Sequence, residues 1–551
     1  MSRGRTMLRL MTTWNWNAVD INFDYVVNLA NTLTNNKEEF ELISTSYTPV
    51  LRYQLESQNL NSAKVWSLYD ELQGITIKNG QPITLADIVL PENAEIIYTP
   101  FGINVYYLDQ IYARLVPYND AILCQVIYFA NGKQDVIDYY DDRGFLSRRD
   151  LLATPNGAAQ SFYFNQQGQL MLSEDATKKG NRITIYPVAY SKFKHKSYAT
   201  LQEILLEVFD KYAHSMREPF IVTVDAVTPT EFIQKVSLKY PIIPYLEQAT
   251  LNAIVADTLT KQLRELLVVA KYVVIPEQET FKKLIATIKS QKLAIDLKKI
   301  KVITPYSIQL DLGLSNTLVE TNILVNATKK TAAETIKIIK SILELMLKDT
   351  DLTLIMSVEN STDTQLMMTS IKEYLNSKLA INDDNPDLGL IEEYVLAKQA
   401  NKPNPDLLKA IRELEKKNPI DYNNMVKLVQ TLHNISFEKK LNKDKWHQLI
   451  LKARIYVDLN NNMDLYPAMQ AIETGIPLLL AKKVEFLHEP NNGAIAQTLK
   501  QLNHYLDKYV YELDIWNDTL VYDVKLGSAY SDANLITKWK EVGYGKGKAK
   551  S

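Results

Sequence analysis

Between Asn462 and Gly493 the chain reads NMDLYPAMQAIETGIPLLLAKKVEFLHEPNNG, and this stretch limits the possible fold more than any other. The spacing predicts a short helix over Tyr466 to Glu473. Gly475 can end that helix in a left-handed conformation and Pro477 cannot extend it, so the chain must leave as a strand. The strand, Leu478-Leu479-Leu480, is apolar throughout. A helix delivered straight into such a strand is half of the repeating unit of an α/β protein.

The 551 residues suffice for two or three domains, each with its own core. A net charge of −2 gives no global field to attract nucleic acid or an anionic membrane. Cys124 is the single cysteine, so neither an internal disulfide nor a Cys-x-x-Cys motif can form, which suits a reducing cytoplasm. The six histidines form no His-x-x-x-His pair, and no metal site or cofactor is expected. MSRGRTMLRLMTTW reads as a basic leader into a first strand, and no run of about 18 apolar residues follows to span a membrane. Glycine is scarce, with only Gly313 and Gly389 between Gly180 and Gly475. Phosphate-cradling loops need glycine for close backbone approach, so an orthodox nucleotide loop is not expected.

Taken in order, Leu8 to Trp14 predicts a strand, Asp20 to Leu33 an amphipathic helix and Phe40 to Ser44 a second strand, the opening of a Rossmann-like domain. From Ile96 to Tyr190 the pattern turns to β. CQVIYFANGKQDVIDYY alternates around Asn131-Gly132, a hairpin signal, and Asp141-Asp142-Arg143-Gly144, Pro155-Asn156-Gly157 and Gln166-Gln167-Gly168 mark further turns. An antiparallel meander is expected there, with tyrosines that fill a sheet face or meet a partner. Tyr198 to Ala213 is helical, and Pro219 to Val224 returns to the first domain. Asp225 ends that strand, where α/β sites lie and where aspartate also simply starts turns. A second Rossmann-like domain is expected from near Leu251, with strands at Tyr272–Ile275, Lys301–Ile303, Ser307–Leu312, Ile323–Val325, Leu352–Val358 and Ala453–Leu459. A polar, Lys-rich helical section precedes the last of these, and Ala494 to Lys508 reads as a helix.

The helix, Gly475-Ile476-Pro477 and strand resemble the last αβ unit of the second domain in GT-B glycosyltransferases. Many retaining members place a Glu-x7-Glu pair before that glycine to hold the sugar nucleotide; the corresponding positions here are Asn462 and Gln470. The first loop, Thr13-Trp14-Asn15-Trp16-Asn17, stands where active enzymes often carry Gly-Gly, and Ser357-Val358-Glu359-Asn360 stands where they end a strand in glycines. The segments YTPVLRYQLESQNLNSAKVWSLYDELQG (Tyr47 to Gly74), YYDDRGFLS (Tyr139 to Ser147) and YSDANLITKWKEV (Tyr530 to Val542) carry a closer resemblance. Together they resemble the first-numbered, glycosyltransferase-like Asp subunit of the bacterial accessory Sec system.

The resemblance implies two Rossmann-like domains in a GT-B arrangement with an inserted β-meander. The expected boundaries are 7–95 with 196–248, 96–195, 249–508 and a segment 509–545 whose helix crosses back to the first domain. It also implies a non-catalytic cytoplasmic subunit, peripheral at the membrane translocon, that serves export of serine-rich-repeat glycoprotein adhesins. The implied partners are two sibling Asp subunits, a SecA-type motor ATPase and the glycosylated preprotein. Ligand-binding candidates are Lys329, Lys330, Asn462, Gln470 and Glu485, and partner-binding candidates are Tyr139 and Tyr140. The competing reading is an active glycosyltransferase in which Gln470 and Lys330 substitute for the usual donor-holding groups. Losing a positioned charge costs orders of magnitude in rate, which favours the non-catalytic reading.

Overall fold

The computed structural model describes residues 7–14, 21–119, 121–154, 157–180, 182–224, 230–256, 258, 260–400, 402 and 404–545. Asp225, Asn15-Trp16-Asn17 and part of the Pro155-Asn156-Gly157 turn lie outside them. Two compact units emerge, residues 1–305 with 536–551, and residues 306–535.

The first unit begins with β1 (Leu8–Thr12), β2 (Phe40–Ser44) and β3 (Lys64–Ser67). Ten further strands follow: β4 (Glu95–Thr99), β5 (Gly102–Tyr107), β6 (Gln110–Tyr118), β7 (Ile122–Ala130), β8 (Lys133–Tyr140), β9 (Leu146–Thr154), β10 (Gly157–Phe164), β11 (Leu170–Asp175), β12 (Ile183–Ile185) and β13 (Ser197–Tyr198). Each pairs with the next in one antiparallel sheet, and Asn131 and Gly132 (φ 51° and 72°) make the β7–β8 turn that the sequence predicts. The chain then returns as β14 (Phe220–Val224), β15 (Ile242–Leu246), β16 (Val273–Ile275) and β17 (Ile300–Val302). With β1 to β3 these form a parallel sheet of order β17-β16-β15-β14-β1-β2-β3. β1, β2, β14 and β15 are buried at every position, as strands covered on both faces should be.

Two of the segments that carry the family resemblance meet in a clasp within this unit. Arg143 grips both carboxylate oxygens of Asp70 at 2.8 Å and also Asp141 at 2.6 Å. Arg52 donates to Asp142 at 2.9 Å, whose other oxygen accepts the Tyr53 amide. These planar, paired contacts tie the inserted sheet to the Rossmann-like layer, so the motifs are structural. The third segment contributes Trp539, fully buried and packed edge-on to Tyr245 at 5.1 Å, and Lys540, paired with Glu38.

The second unit holds β18 (Thr321–Asn326), β19 (Leu352–Ser357), β20 (Ile435–Glu438), β21 (Ala453–Asp458), β22 (Leu478–Leu480) and β23 (Gly493–Ile495). All pairs are parallel, in the order β20-β19-β18-β21-β22-β23. Between β19 and β20 three helices, Leu388–Gln399, Pro405–Lys417 and Pro419–His433, enclose a small core around Ile391, Ile411 and Met425.

Three sequence expectations need correction. Strands β16 and β17 belong to the first sheet and not to a second domain starting near 249, because strand–helix alternation continues unbroken to Pro305 and β15–β16–β17 pair in parallel. Ser307–Leu312 is no strand; it lies along the end of the helix Leu465–Thr474, with the Asp311 amide donating to the Glu473 carbonyl. The residues after Gly493 first form β23, and the helix starts only at Leu499, capped by Thr498.

Candidate functional site

The second sheet has the strand order 3-2-1-4-5-6, whose direction reverses between β18 and β21. Ligands of open α/β sheets bind outside the carboxyl ends of the strands at that reversal. The last residues of the two strands, Asn326 and Asp458, stand side by side in register. Asp458 accepts hydrogen bonds from Asn326 Nδ2 (3.0 Å), the Tyr456 hydroxyl (3.1 Å) and the Asn460 amide (2.9 Å). Asn460 in turn donates to the Asn326 carbonyl at 3.1 Å. All four residues are buried. Desolvation pushes the Asp458 carboxyl up to about 7, partly offset by the Asn460 amide, the Tyr456 hydroxyl and the Lys329 charge.

The lysines lie beside this knot. Lys329 reaches across to Asp464 (2.6 Å) and the Asn462 carbonyl (2.9 Å), so its charge is neutralised within the chain. Lys330 lines a crevice of about 360 Å³ with Glu334, Lys337, Asn461, Ala481 and Thr498. Glu334 stands 3.8 Å from Lys330 and also completes the capping box with Thr331 at the start of the helix Ala332–Met346.

Gln470 points elsewhere. It is buried on the helix Leu465–Thr474, donates to Glu473 and receives His447 Nδ1 at 2.8 Å. His447 Nε2 faces Asp311 at 3.1 Å, and Glu473 accepts the Gln309 amide at 2.8 Å. Burial raises the Glu473 carboxyl to about 8. Asp523, fully buried on the helix Leu513–Ala529, is likewise raised to about 8 by burial; Asn492 is its donor at 2.9 Å. Gly475 closes the Gln470 helix at φ 70°, where a side chain would also strike Leu520. Asn462 is half-buried and contributes its carbonyl to Lys329, while Glu485 takes a hydrogen bond from the Tyr530 hydroxyl at 2.9 Å.

The structure therefore brings Lys329 and Asn462 together, with Lys330 following Lys329 in the chain, and places Gln470 and Glu485 in other networks. Tyr139 and Tyr140 are half-buried and not exposed. The Tyr139 ring lies over Arg148 at 5.3 Å and meets Tyr47 edge-on, and Tyr140 packs on the cluster of Val105, Leu115 and Val126. Burial raises both phenols. Sequence reasoning missed Asp458, Asn326 and Asn460. The signal was present, since ARIYVDLNNN ends an apolar strand in aspartate just as the Asp225 strand does.

Among the described residues no group of histidine, cysteine, aspartate or glutamate could hold a metal ion, and no helix is long and apolar enough to cross a membrane.

Two parallel sheets of Rossmann type and an inserted antiparallel sheet define a glycosyltransferase-like GT-B fold. The pneumococcal O-GlcNAc transferase GtfA, crystallised with UDP and GlcNAc, superposes with a TM-score of 0.63 at 12% identity, covering 98% of each chain. The crystal structure of accessory secretory protein 1, 2 and 3 in Streptococcus pneumoniae gives 0.70 at 15% identity, covering 97% of this chain and 98% of that one. Residues 1–543 match the family described as the first-numbered Asp protein of the accessory Sec system. The Streptococcus gordonii protein of that description is 21% identical over 542 residues, 98% of this chain and 96% of the relative. The chain belongs to this accessory Sec family.

Proposed function

We propose that the protein is a non-catalytic docking subunit of a bacterial accessory Sec system, working in the cytoplasm on serine-rich-repeat glycoproteins bound for export. It acts with two sibling subunits of the kind crystallised with the pneumococcal relative, and it presents the preprotein to a SecA-type motor. One observation carries the reading: at the reversal of the second sheet, the positions that would hold a donor are taken up by bonds within the chain. Asp458 is enclosed by Asn326, Tyr456 and Asn460, and Lys329 is neutralised by Asp464. Gln470, at the position of the second donor glutamate, is bound to His447 and Glu473.

Active glycosyl transfer is the second reading. The crevice beside Lys330 and Lys337 favours it, as do two buried atoms at the strand ends, Ser357 Oγ and Asn460 Oδ1, which have no protein partner among the described residues. The test incubates the full chain with UDP-GlcNAc or UDP-glucose and a serine-rich acceptor and follows UDP release. No release above the buffer rate is expected. Release that Gln470→Ala abolishes would establish catalysis instead.

A further inference from the structure

β4 is an outer strand of the ten-stranded sheet and pairs only with β5. Its other edge presents backbone donors and acceptors that no strand among the described residues meets. Native edges are normally protected by lysines, prolines, bulges or a covering element. Here the strand reads Glu95-Ile96-Ile97-Tyr98-Thr99, with no lysine, no proline and no register shift against β5. Successive side chains point to opposite faces, yet Ile96, Ile97 and Tyr98 are all exposed, at 39%, 41% and 72%. The adjoining turns add Phe101 at 86% and Leu108 at 77%. Grouped exposed apolar residues of this kind mark an interaction surface.

Charge identifies the occupant. From residue 79 to residue 113 the chain contains Asp87, Glu92, Glu95 and Asp109 and no lysine, arginine or histidine. Glu95 pairs with Tyr106, so Glu92, Glu95 and the Leu108-Asp109 turn gather at one end of the edge, while Tyr98 and Phe101 hold the other. A second copy of β4 laid against this edge would bring these acids no cation, since its own residues 79–113 hold none. A strand with lysine or arginine at one end and apolar residues along the rest would meet both ends.

We propose that β4 is the docking edge for a strand supplied by a partner protein, apolar along its length and basic at the end that faces Glu92, Glu95 and Asp109. The added strand would extend the ten-stranded sheet, with main-chain bonds giving affinity and the side chains giving specificity. This proposal rests on the docking reading above and names the surface that performs it.

The experiment co-expresses the full chain with the second and third accessory secretory proteins of the same genome. Wild type is compared with Ile97→Lys and with Glu95→Lys, and amide exchange of residues 95–99 is followed in the free and bound chain. Expected are slowed exchange across 95–99 in the complex and at least tenfold weaker assembly for both variants, whose thermal unfolding stays that of wild type. Equal assembly by all three chains with unchanged exchange overturns the edge as docking site and leaves the docking role standing. A free chain that is dimeric as wild type and monomeric as Ile97→Lys assigns the edge to a second copy and overturns the proposal. A wild-type chain that assembles with neither protein overturns both the role and the edge.

Discussion

The carboxyl ends of β18 and β21 and the free edge of β4 treat polar groups in opposite ways. At the strand ends, where an α/β fold ordinarily receives its ligand, Asp458 is buried and bonded to three donors of its own chain. Along β4, the backbone and three large apolar side chains stand open to solvent. A fold inherited by a binding protein can fill its ligand position with its own side chains, because a buried acid is tolerated only when hydrogen-bonded. On the proposed docking reading, binding uses instead a surface whose apolar groups stand exposed. Homology of fold therefore says little about where this chain does its work.

Asp458→Ala tests the closed region hardest. It strips the acceptor from Asn326 Nδ2, the Tyr456 hydroxyl and the Asn460 amide together. Buried donors left unpaired cost about 1–3 kcal/mol each before relaxation, so a loss of roughly 3 kcal/mol is expected in denaturant unfolding. Asp458→Asn keeps one of the two acceptor oxygens and sets an amide NH2 where the other accepts, so a loss of about 1–2 kcal/mol is expected, smaller than that of Asp458→Ala. Equal loss from both variants would mean that the negative charge, and not the acceptor, holds the strand ends together.

A smaller effect comes from pH. The carboxyls of Glu473 and Asp523 sit at about 8 in the folded chain through burial. In the unfolded chain they titrate at about pH 4. Between these values the native state holds protons that the unfolded state releases, so their contribution is complete below about pH 4 and is lost as pH rises through about 8. Asp523→Asn should flatten that decline and gain about 1–2 kcal/mol over wild type at about pH 8.5, read as a shift in Tm. A variant whose stability falls with pH as steeply as wild type would show that Asp523 is ionised in the fold.

The smallest stability effect belongs to the open region. Ile97→Lys replaces an exposed side chain and should change unfolding by no more than about 0.5 kcal/mol. A large destabilisation would mean that β4 is already covered and that the contrast with the closed region fails.

How far these regions were readable depends on how local their causes are. Gly475 ends its helix at φ 70° and Asn131-Gly132 turns its hairpin because both follow from the conformational freedom of a few neighbouring residues. The boundary near Pro305 was hidden because β16 and β17 continue the same strand–helix rhythm, and only sheet pairing assigns them. Gln470 stands at a donor-holding position by sequence, and its hydrogen-bond partner His447 lies on another helix, which no local pattern reveals. The Asn326–Asp458 contact joins residues 132 positions apart, beyond any local pattern. Tyr139 shows the same limit, since alternation along a strand cannot tell a solvent face from one covered by Arg148 and Tyr47.

Calorimetric titration of the full chain with UDP-GlcNAc and with UDP-glucose bears most directly on the closed strand ends. No saturable heat up to millimolar nucleotide is expected, and none from Lys330→Ala. Saturable binding with a micromolar Kd that Lys330→Ala weakens tenfold or more would mean that the crevice beside the Asp458 knot still receives a sugar nucleotide, and that the second sheet is a working donor site.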